Sequence, residues 1–307
     1  IVPKASGQPF YDYFERSFAK VLVYNITNKS VPLKQREVEL EGQLLTSRKI
    51  GPYLYFLASK YIEPSLLPQK EKKVSQELLS FMLPSYKDSA VSPRRESLPL
   101  SKVHYFPASI NSNYLLIGSL NLQDLQAKME VSAYLGGGDN VYASTTNLYV
   151  VSAQTRLKEV TKGRLVYAEV VNEATKVYKF NLDKTKVNYQ AQQEVPGRVL
   201  NQFSLDEHNG YFRLATTSNS PEDLQKNNIY VLDKDLKVAG KLEGIAPGET
   251  VYSARFMGDR VYLVTYKTMD PFFVIDLSQP QAPKVLGELK IPGYSSYLHP
   301  YDENYII

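Results

Sequence analysis

Few residues in this chain have a clear capacity for acid–base or ligand chemistry. There are three histidines, His104, His208 and His299, and no cysteine. The missing cysteines exclude disulfides, a zinc thiolate site and a thiol nucleophile. Of the histidines, His299 precedes the turn of its repeat and is the candidate for a ligand-binding residue that faces a central channel, with a hydrogen-bonded structural histidine as the alternative. No metal site and no cofactor is predicted.

Two arginines occupy the same place in a repeated pattern. Arg48 precedes Gly51 by three residues, as Arg255 precedes Gly258, and apolar strand residues follow both glycines. Equivalent places in a ring of repeats lie at one radius, so the two arginines would share a central channel and bind an anionic group. The alternative is that each arginine braces its own turn through backbone carbonyls.

Paired carboxylates stand at two matching turns, Asp206-Glu207 and Asp302-Glu303. They would serve cation binding or general acid–base catalysis only if the fold brought them together, and solvated turn residues are the simpler interpretation. No Gly-x-Ser-x-Gly elbow or calcium-loop spacing occurs, and residues 136–138, three glycines, lack the Gly-Lys-Ser/Thr ending of a phosphate loop. No reaction follows from these motifs.

Two glycosylation sequons lie side by side. Asn25-Ile-Thr27 and Asn28-Lys-Ser30 occupy a polar stretch that reads as an exposed turn between strands. Asn25 and Asn28 would be sugar acceptors in an exported archaeal or eukaryotic protein, whereas in most bacteria the sequons would have no meaning.

Repeats predict the fold that must position these residues. Pro196-Gly197, Pro247-Gly248 and Pro292-Gly293 each precede a strand–turn–strand pattern, at intervals of 51 (247 − 196) and 45 (292 − 247) residues. Such spacing suits propeller blades of roughly 40 to 50 residues. The prediction is an all-β β-propeller with about five to six blades visible here, from a complete ring of seven or eight.

The domain prediction is one β-propeller spanning residues 1–307, incomplete at both ends, with a first blade at about 17–59. An insertion at about 62–100 interrupts it. There, residues 69–83 place apolar side chains at near-helical spacing, which predicts a short amphipathic helix, and 86–100 reads as a long connection.

Composition limits the partners. The chain of 307 residues is 43% hydrophobic and 22% charged, as in globular proteins. Its net charge of +4, from 36 basic and 32 acidic residues, is spread along the chain, so no nucleic-acid partner is predicted. No run of 18 apolar residues occurs, so no membrane-spanning segment is expected.

Four phrases resemble a known family of secreted bacterial and archaeal proteins that carry a C-terminal β-propeller domain and are largely uncharacterised. The phrases are Met129-Glu-Val-Ser-Ala-Tyr-Leu-Gly-Gly-Gly138, Val195-Pro-Gly-Arg-Val-Leu-Asn-Gln-Phe-Ser204, Tyr252-Ser-Ala-Arg-Phe-Met-Gly-Asp-Arg260 and Leu289-Lys-Ile-Pro-Gly-Tyr-Ser-Ser-Tyr-Leu-His-Pro-Tyr-Asp-Glu303. The resemblance implies an extracellular or cell-envelope location and supplies no catalytic residues.

The preferred function is a non-enzymatic binding domain that recognises a protein or a glycan through loops on one propeller face. One alternative is a structural subunit of a surface filament or layer, assembled through its open blades. The other is a hydrolase-like enzyme at the channel, with His299 and the paired carboxylates as acid and base and Arg48 or Arg255 as an anion clamp.

Overall fold

A computed structural model describes residues 16–62, 75–106, 113–162, 165–220, 223–266, 270–291, 297–302 and 305–307. The chain divides into two compact units, residues 1–138 with 182–188, and residues 139–181 with 189–307. The prediction of one domain over residues 1–307 stays a prediction.

The first unit contains nine strands and one α-helix among its described residues. They are β1 (Phe18–Asn25), β2 (Leu33–Glu41), β3 (Gln43–Ile50), β4 (Tyr53–Tyr61), α1 (Gln76–Met82), β5 (Ser85–Asp88), β6 (Ser92–Ser97), β7 (Val103–Tyr105), β8 (Asn113–Asn121) and β9 (Glu130–Leu135). One sheet has the strand order β1-β2-β5-β6. The other has the order β3-β4-β8-β9-β7, in which β7 runs parallel to β9.

The remaining strands form three sheets, each of four strands that are consecutive along the chain. The first sheet comprises β10 (Asn140–Ala143), β11 (Asn147–Lys162), β12 (Leu165–Asp183) and β13 (Lys186–Pro196). The second comprises β14 (Leu205–His208), β15 (Tyr211–Ser220), β16 (Asp223–Leu232) and β17 (Val238–Ile245). The third comprises β18 (Thr250–Met257), β19 (Arg260–Tyr266), β20 (Asp270–Asp276) and β21 (Lys284–Ile291). The predicted all-β fold is confirmed. The number of blades in a complete ring stays a prediction.

The repeat that the sequence predicted is visible in the strand register. Arg48 pairs with Tyr55 across β3 and β4, and Arg255 pairs with Tyr262 across β18 and β19. Both arginine-bearing strands, β3 and β18, carry a register shift at the same distance before the arginine, between Leu44 and Thr46 and between Val251 and Ser253. The two hairpins are therefore structural copies.

The turns of these two hairpins need glycine. Gly51 has a φ of 55° and Gly258 a φ of 54°, a left-handed conformation that side chains with a Cβ resist. In the β14–β15 turn the corresponding positive angles belong to Asn209 and Gly210, which fits the tolerance of asparagine for this conformation. Glycine and asparagine thus set the tight turns that the sequence predicted.

The predicted first blade at residues 17–59 is wrong, because this stretch belongs to two sheets. Strands β1 and β2 lie in one sheet, and β3 and β4 begin the next. The boundary falls at Gly42, whose φ is 121° and whose Cβ position would meet the Ser59 carbonyl oxygen at 2.5 Å. A new sheet begins after this glycine, as new sheets begin after Gly197 and Gly248.

The insertion contains the predicted helix and an additional hairpin that was not predicted. Helix α1 covers only part of the predicted 69–83, since residues 63–74 lie outside the described residues. The expected connection at 86–100 instead contains β6 and most of β5, and β5 pairs with β2. The sequence of β6, Ser-Pro-Arg-Arg-Glu-Ser, looks like a loop because an edge strand uses proline and charge to prevent further pairing.

A buried ion pair joins this hairpin to its sheet. Arg36 is 1% exposed and Asp88 is 3% exposed. The guanidinium donates to both carboxylate oxygens of Asp88, at 3.0 and 2.7 Å, and to the carbonyl of Leu125 at 2.9 Å. The backbone N–H of Met129 donates to Asp88 at 2.8 Å. Burial alone would raise the pKa of Asp88, but the hydrogen bonds from Arg36, Met129 and Ala90 outweigh it and hold the pKa below its ordinary value.

A second buried group anchors the end of α1. The ammonium of Lys60 lies 2.9 Å from a carboxylate oxygen of Glu41 and donates to the carbonyls of Phe81 and Leu83, both at 2.8 Å. The N–H and hydroxyl of Ser85 donate to the other oxygen of Glu41 at 3.0 and 2.6 Å. Burial lowers the pKa of Lys60, and Glu41 opposes that shift.

In the part of the chain that the structure describes, no helix is both long and apolar enough to cross a membrane.

Asp88→Asn should destabilise the protein by about 3–5 kcal/mol at neutral pH, because it leaves Arg36 buried without its counter-charge. Equilibrium unfolding in urea measures this. The matched control is Asp235→Asn, which removes an exposed pair with Lys234 and should leave stability near that of the wild type.

The same pair predicts a pH dependence. A carboxyl with a lowered folded pKa stabilises the fold above its unfolded pKa of about 3.9, and this contribution is lost as pH falls through the folded value. The stability gap between wild type and Asp88→Asn should therefore narrow below about pH 4. A gap that stays constant down to strongly acidic pH would contradict this role of Asp88.

Candidate functional site

Arg255, predicted as a ligand residue, lies half-buried on β18 with its guanidinium 5.1 Å from the centre of the Phe203 ring. Phe203 belongs to a single 3-10 turn, Gln202–Ser204, which leads into β14. The side-chain oxygen of Asn201 caps this turn by accepting from the Phe203 N–H at 2.9 Å. Capping thus fixes the ring against the arginine, a favourable cation–π arrangement.

The aromatic contacts continue to the predicted residue His299. The Phe203 ring meets Tyr297 edge-on, with centroids 5.5 Å apart, and Tyr297 lies 6.2 Å from the ring of His299. Between the last two, Leu298 is 5% exposed and packs in a cluster with Tyr262 and Val264. We call Arg255, Phe203, Tyr297 and His299 the aromatic strip.

Backbone pairing and the buried leucine keep the end of the strip in place. His299 exchanges two backbone hydrogen bonds with Ile307, at 2.7 and 2.8 Å. With Leu298 held in the core, its neighbours stay at the surface, where Tyr297 is 50% exposed and His299 is also exposed. Two of the three predicted ligand residues are therefore connected through two aromatic rings.

The strip can bind a flat or apolar group beside an anion. Among the described residues, no carboxylate oxygen lies within 4.0 Å of the Arg255 guanidinium. An arginine held against a ring keeps its donors available for a carboxylate, while the exposed face of a tyrosine provides contact area at low entropic cost.

Arg48 lies in the first unit, on β3, and is half-buried. Its guanidinium donates to the Thr46 hydroxyl at 2.5 Å and to the Ser47 carbonyl at 2.8 Å. Both acceptors lie within β3, and the ligand role of Arg48 stays a prediction. A shared channel for Arg48 and Arg255 stays a prediction, as do sugars on Asn25 and Asn28.

The carboxylate pair at 206–207 is engaged by neighbouring side chains. Asp206 accepts from Arg213, which is 3% exposed, through Nε at 2.9 Å and through Nη2, and it lies 3.5 Å from the Tyr142 hydroxyl. Arg213 also donates to the Gly258 carbonyl at 2.7 Å. The side chain of Arg213 thus joins the β14–β15 turn to the β18–β19 turn.

Glu207 joins the same turn to the preceding sheet. Asn147 donates its amide to both oxygens of Glu207, at 3.0 and 3.2 Å. Burial raises the pKa of Tyr149, and the nearby Glu207 raises it further. His208 lies beside Asp259, with 3.2 Å between Nε2 and Oδ1. These contacts hold the tips of three hairpins together, so the 206–207 carboxylates act as structural links.

Asp302 and His104 each make contacts within their own unit. Asp302 accepts from the Tyr305 N–H at 2.9 Å, and Glu303 lies outside the described residues. His104 packs against Tyr134 with 5.4 Å between ring centres. The described residues contain no cluster of three or more His, Asp or Glu side chains arranged to hold a metal ion.

A groove of about 410 Å³ in the second unit was missed by sequence reasoning. Its lining combines apolar and charged side chains, namely Ala246, Pro247, Glu249, Pro271, Phe273, Glu288 and Lys290. Ala246 has a φ of 45°, which is unfavourable for a residue with a side chain. The fully buried amide of Asn227 holds this loop by donating to the carbonyls of Ile245 and Glu249, both at 3.1 Å. Only the Pro247-Gly248 repeat pointed to this loop.

A family model described as a β-propeller domain matches residues 2–307. The chain belongs to the β-propeller domain family. The predicted propeller and the resemblance to an uncharacterised family are confirmed.

Two similar proteins are uncharacterised archaeal proteins. One, from Methanocaldococcus jannaschii, is 54% identical over 137 residues, which are 44% of this chain and 22% of that protein. The other, from Archaeoglobus fulgidus, is 50% identical over 135 residues, which are 44% of this chain and 21% of that protein. The matched stretch is thus about a fifth of each relative.

Arg213→Met should cost about 3 kcal/mol of unfolding free energy, because it leaves Asp206 partly buried without its cation and removes a link to the neighbouring turn. Thermal unfolding followed by circular dichroism measures the loss. Arg260→Met, a change at an exposed arginine on β19, is the control and should unfold like the wild type. Equal losses in the two variants would contradict the linking role.

Proposed function

We propose that this β-propeller is a non-enzymatic binding domain of an extracellular or cell-envelope protein, and that it recognises a protein or glycan partner through the aromatic strip. One observation carries the proposal: Arg255 packs on Phe203, which contacts the half-exposed Tyr297 beside His299. Tyrosine and arginine are the residues on which binding energy concentrates at protein interfaces.

The strip defines the chemistry of the partner. Arg255 suits a carboxylate, and the rings of Phe203 and Tyr297 suit a flat or apolar group next to it. An acidic sugar offers both, as does an acidic side chain that neighbours an apolar one in a peptide. The extracellular location rests on the resemblance to secreted proteins.

The contacts of the carboxylates favour binding over hydrolysis. A hydrolase needs a carboxyl or imidazole that is free to exchange protons with a substrate. Asp206 is paired with Arg213, and Glu207 accepts two hydrogen bonds from Asn147. Their partners give these groups a structural role, and we propose no reaction for them.

Assembly through open blades is the remaining alternative. Among the strands that the structure describes, β1 is at the edge of its sheet, and edge strands accept strands from other chains. Light scattering at several concentrations tests it. Concentration-dependent polymers that persist in strip variants would favour a structural subunit, and a monomer would favour the binding domain.

The binding test screens the purified chain against two probes, an array of uronic-acid, sialic-acid and neutral oligosaccharides, and a displayed library of random peptides. Every hit is then measured with Arg255→Met, Phe203→Ala and Tyr297→Ala. Each variant should bind roughly tenfold more weakly or worse, as expected for a central contact worth 1.4 kcal/mol or more.

Tyr105→Ala is the control, because Tyr105 is also exposed, at 70%, and lies on β7. It should bind like the wild type. Hits confined to the oligosaccharides identify a glycan partner, and hits confined to peptides identify a protein partner. Hits whose affinity is unchanged in all three strip variants would overturn the strip as the binding surface.

A further inference from the structure

The turn between β1 and β2 combines two unusual features. It holds Asn25-Ile-Thr27 and Asn28-Lys-Ser30, which are the two Asn-x-Ser/Thr sequences of the 307-residue chain. Every residue from 24 to 35 is exposed. Both sequons are thus accessible to an enzyme from solvent.

The side chains of both asparagines are held in the same way. The Oδ1 atom of Asn25 accepts from the Thr27 N–H at 2.8 Å, and that of Asn28 accepts from the Ser30 N–H at 3.1 Å. In each sequon the oxygen therefore points to the backbone of the hydroxyl residue, in an Asx turn. The amide nitrogen, to which a sugar would attach, has no hydrogen-bond partner among the described residues.

The same turn exposes apolar side chains. Ile26 is 62% exposed, Val31 57% and Leu33 61%. Single exposed apolar residues are ordinary, but a group of them on one turn is a liability unless something covers it. A hydrated glycan attached at the centre of this turn would cover these side chains without a protein partner.

We propose that this turn carries an N-linked glycan on Asn25 or Asn28. In the transfer, the amide nitrogen attacks the anomeric carbon of a sugar carried on a lipid phosphate or pyrophosphate. The new N–C bond replaces the C–O bond to phosphate, the lipid phosphate leaves, and the nitrogen loses one proton. This proposal and the proposed function both require that the protein lies outside the cytosol. In all other respects the glycan proposal is independent of the aromatic strip.

The decisive experiment is mass spectrometry of peptides from the full-length protein purified from its native source. The peptide containing residues 25–30 should carry hexose-type mass increments on Asn25 or Asn28. Asn121 is an internal control, because its Oδ1 accepts from the Gln123 N–H at 3.0 Å in the same kind of turn without a hydroxyl residue. It should be unmodified, and an unmodified 25–30 peptide would overturn the proposal.

A second experiment separates acceptor chemistry from native location. The chain is exported from cultured insect cells behind a secretion signal, and its intact mass is compared with those of Thr27→Ala, Ser30→Ala and the double variant. The wild type should carry glycan mass and the double variant none, while the single variants identify the acceptor. Wild-type chain that is exported without added mass would show that the turn is not an acceptor, whatever the outcome of the strip measurements.

Discussion

The register of hairpin β18–β19 is the constraint on which the candidate site depends. On β18 the pairing of Arg255 with Tyr262 and the left-handed turn at Gly258 fix which face the arginine occupies. A slip of one residue would send every side chain of the strand to the opposite face. Arg255 would then leave the ring of Phe203. The same pairing, bulge and glycine recur on β3 and β4, so the repeat is a repeat of geometry as well as of composition.

Much of the fold could be predicted from sequence because repetition is a strong signal. The alignment of Arg48 with Arg255 matched their equal register, and the glycine three residues later matched its left-handed turn. Hairpin β5–β6 escaped prediction because edge strands are selected for polarity and proline, which are also loop signals. The boundaries of the first sheet were predicted wrongly because no proline-glycine pair marks the place where the next sheet begins. Only Gly42, within a charged stretch, marks it.

The site was predictable in part. Arg255 and His299 could be named from their repeat positions, but the rings that connect them could not. Phe203 is 52 residues from Arg255 in sequence (255 − 203), and its position depends on a capped 3-10 turn with no periodic pattern. Tyr297 is placed by the burial of Leu298. Similarly, Asp206 and Glu207 looked like free carboxylates, because Arg213 and Asn147 reach them only after the sheets have formed.

The sheet β1-β2-β5-β6 is discontinuous in the chain, since β3 and β4 are made between its two halves. During synthesis from the N-terminus, β2 is complete 44 residues before β5 begins (85 − 41). At a synthesis rate of roughly 5–20 residues per second, the edge of β2 that later pairs with β5 stays unpaired for several seconds. Strand β2, Leu-Lys-Gln-Arg-Glu-Val-Glu-Leu-Glu, carries five charges in nine residues. Three of these charges, on Arg36, Glu37 and Glu39, later pair with Asp88, Lys87 and Arg95 of the insertion. Until then, the charges of β2 keep the nascent strand hydrated and discourage its pairing with neighbouring chains.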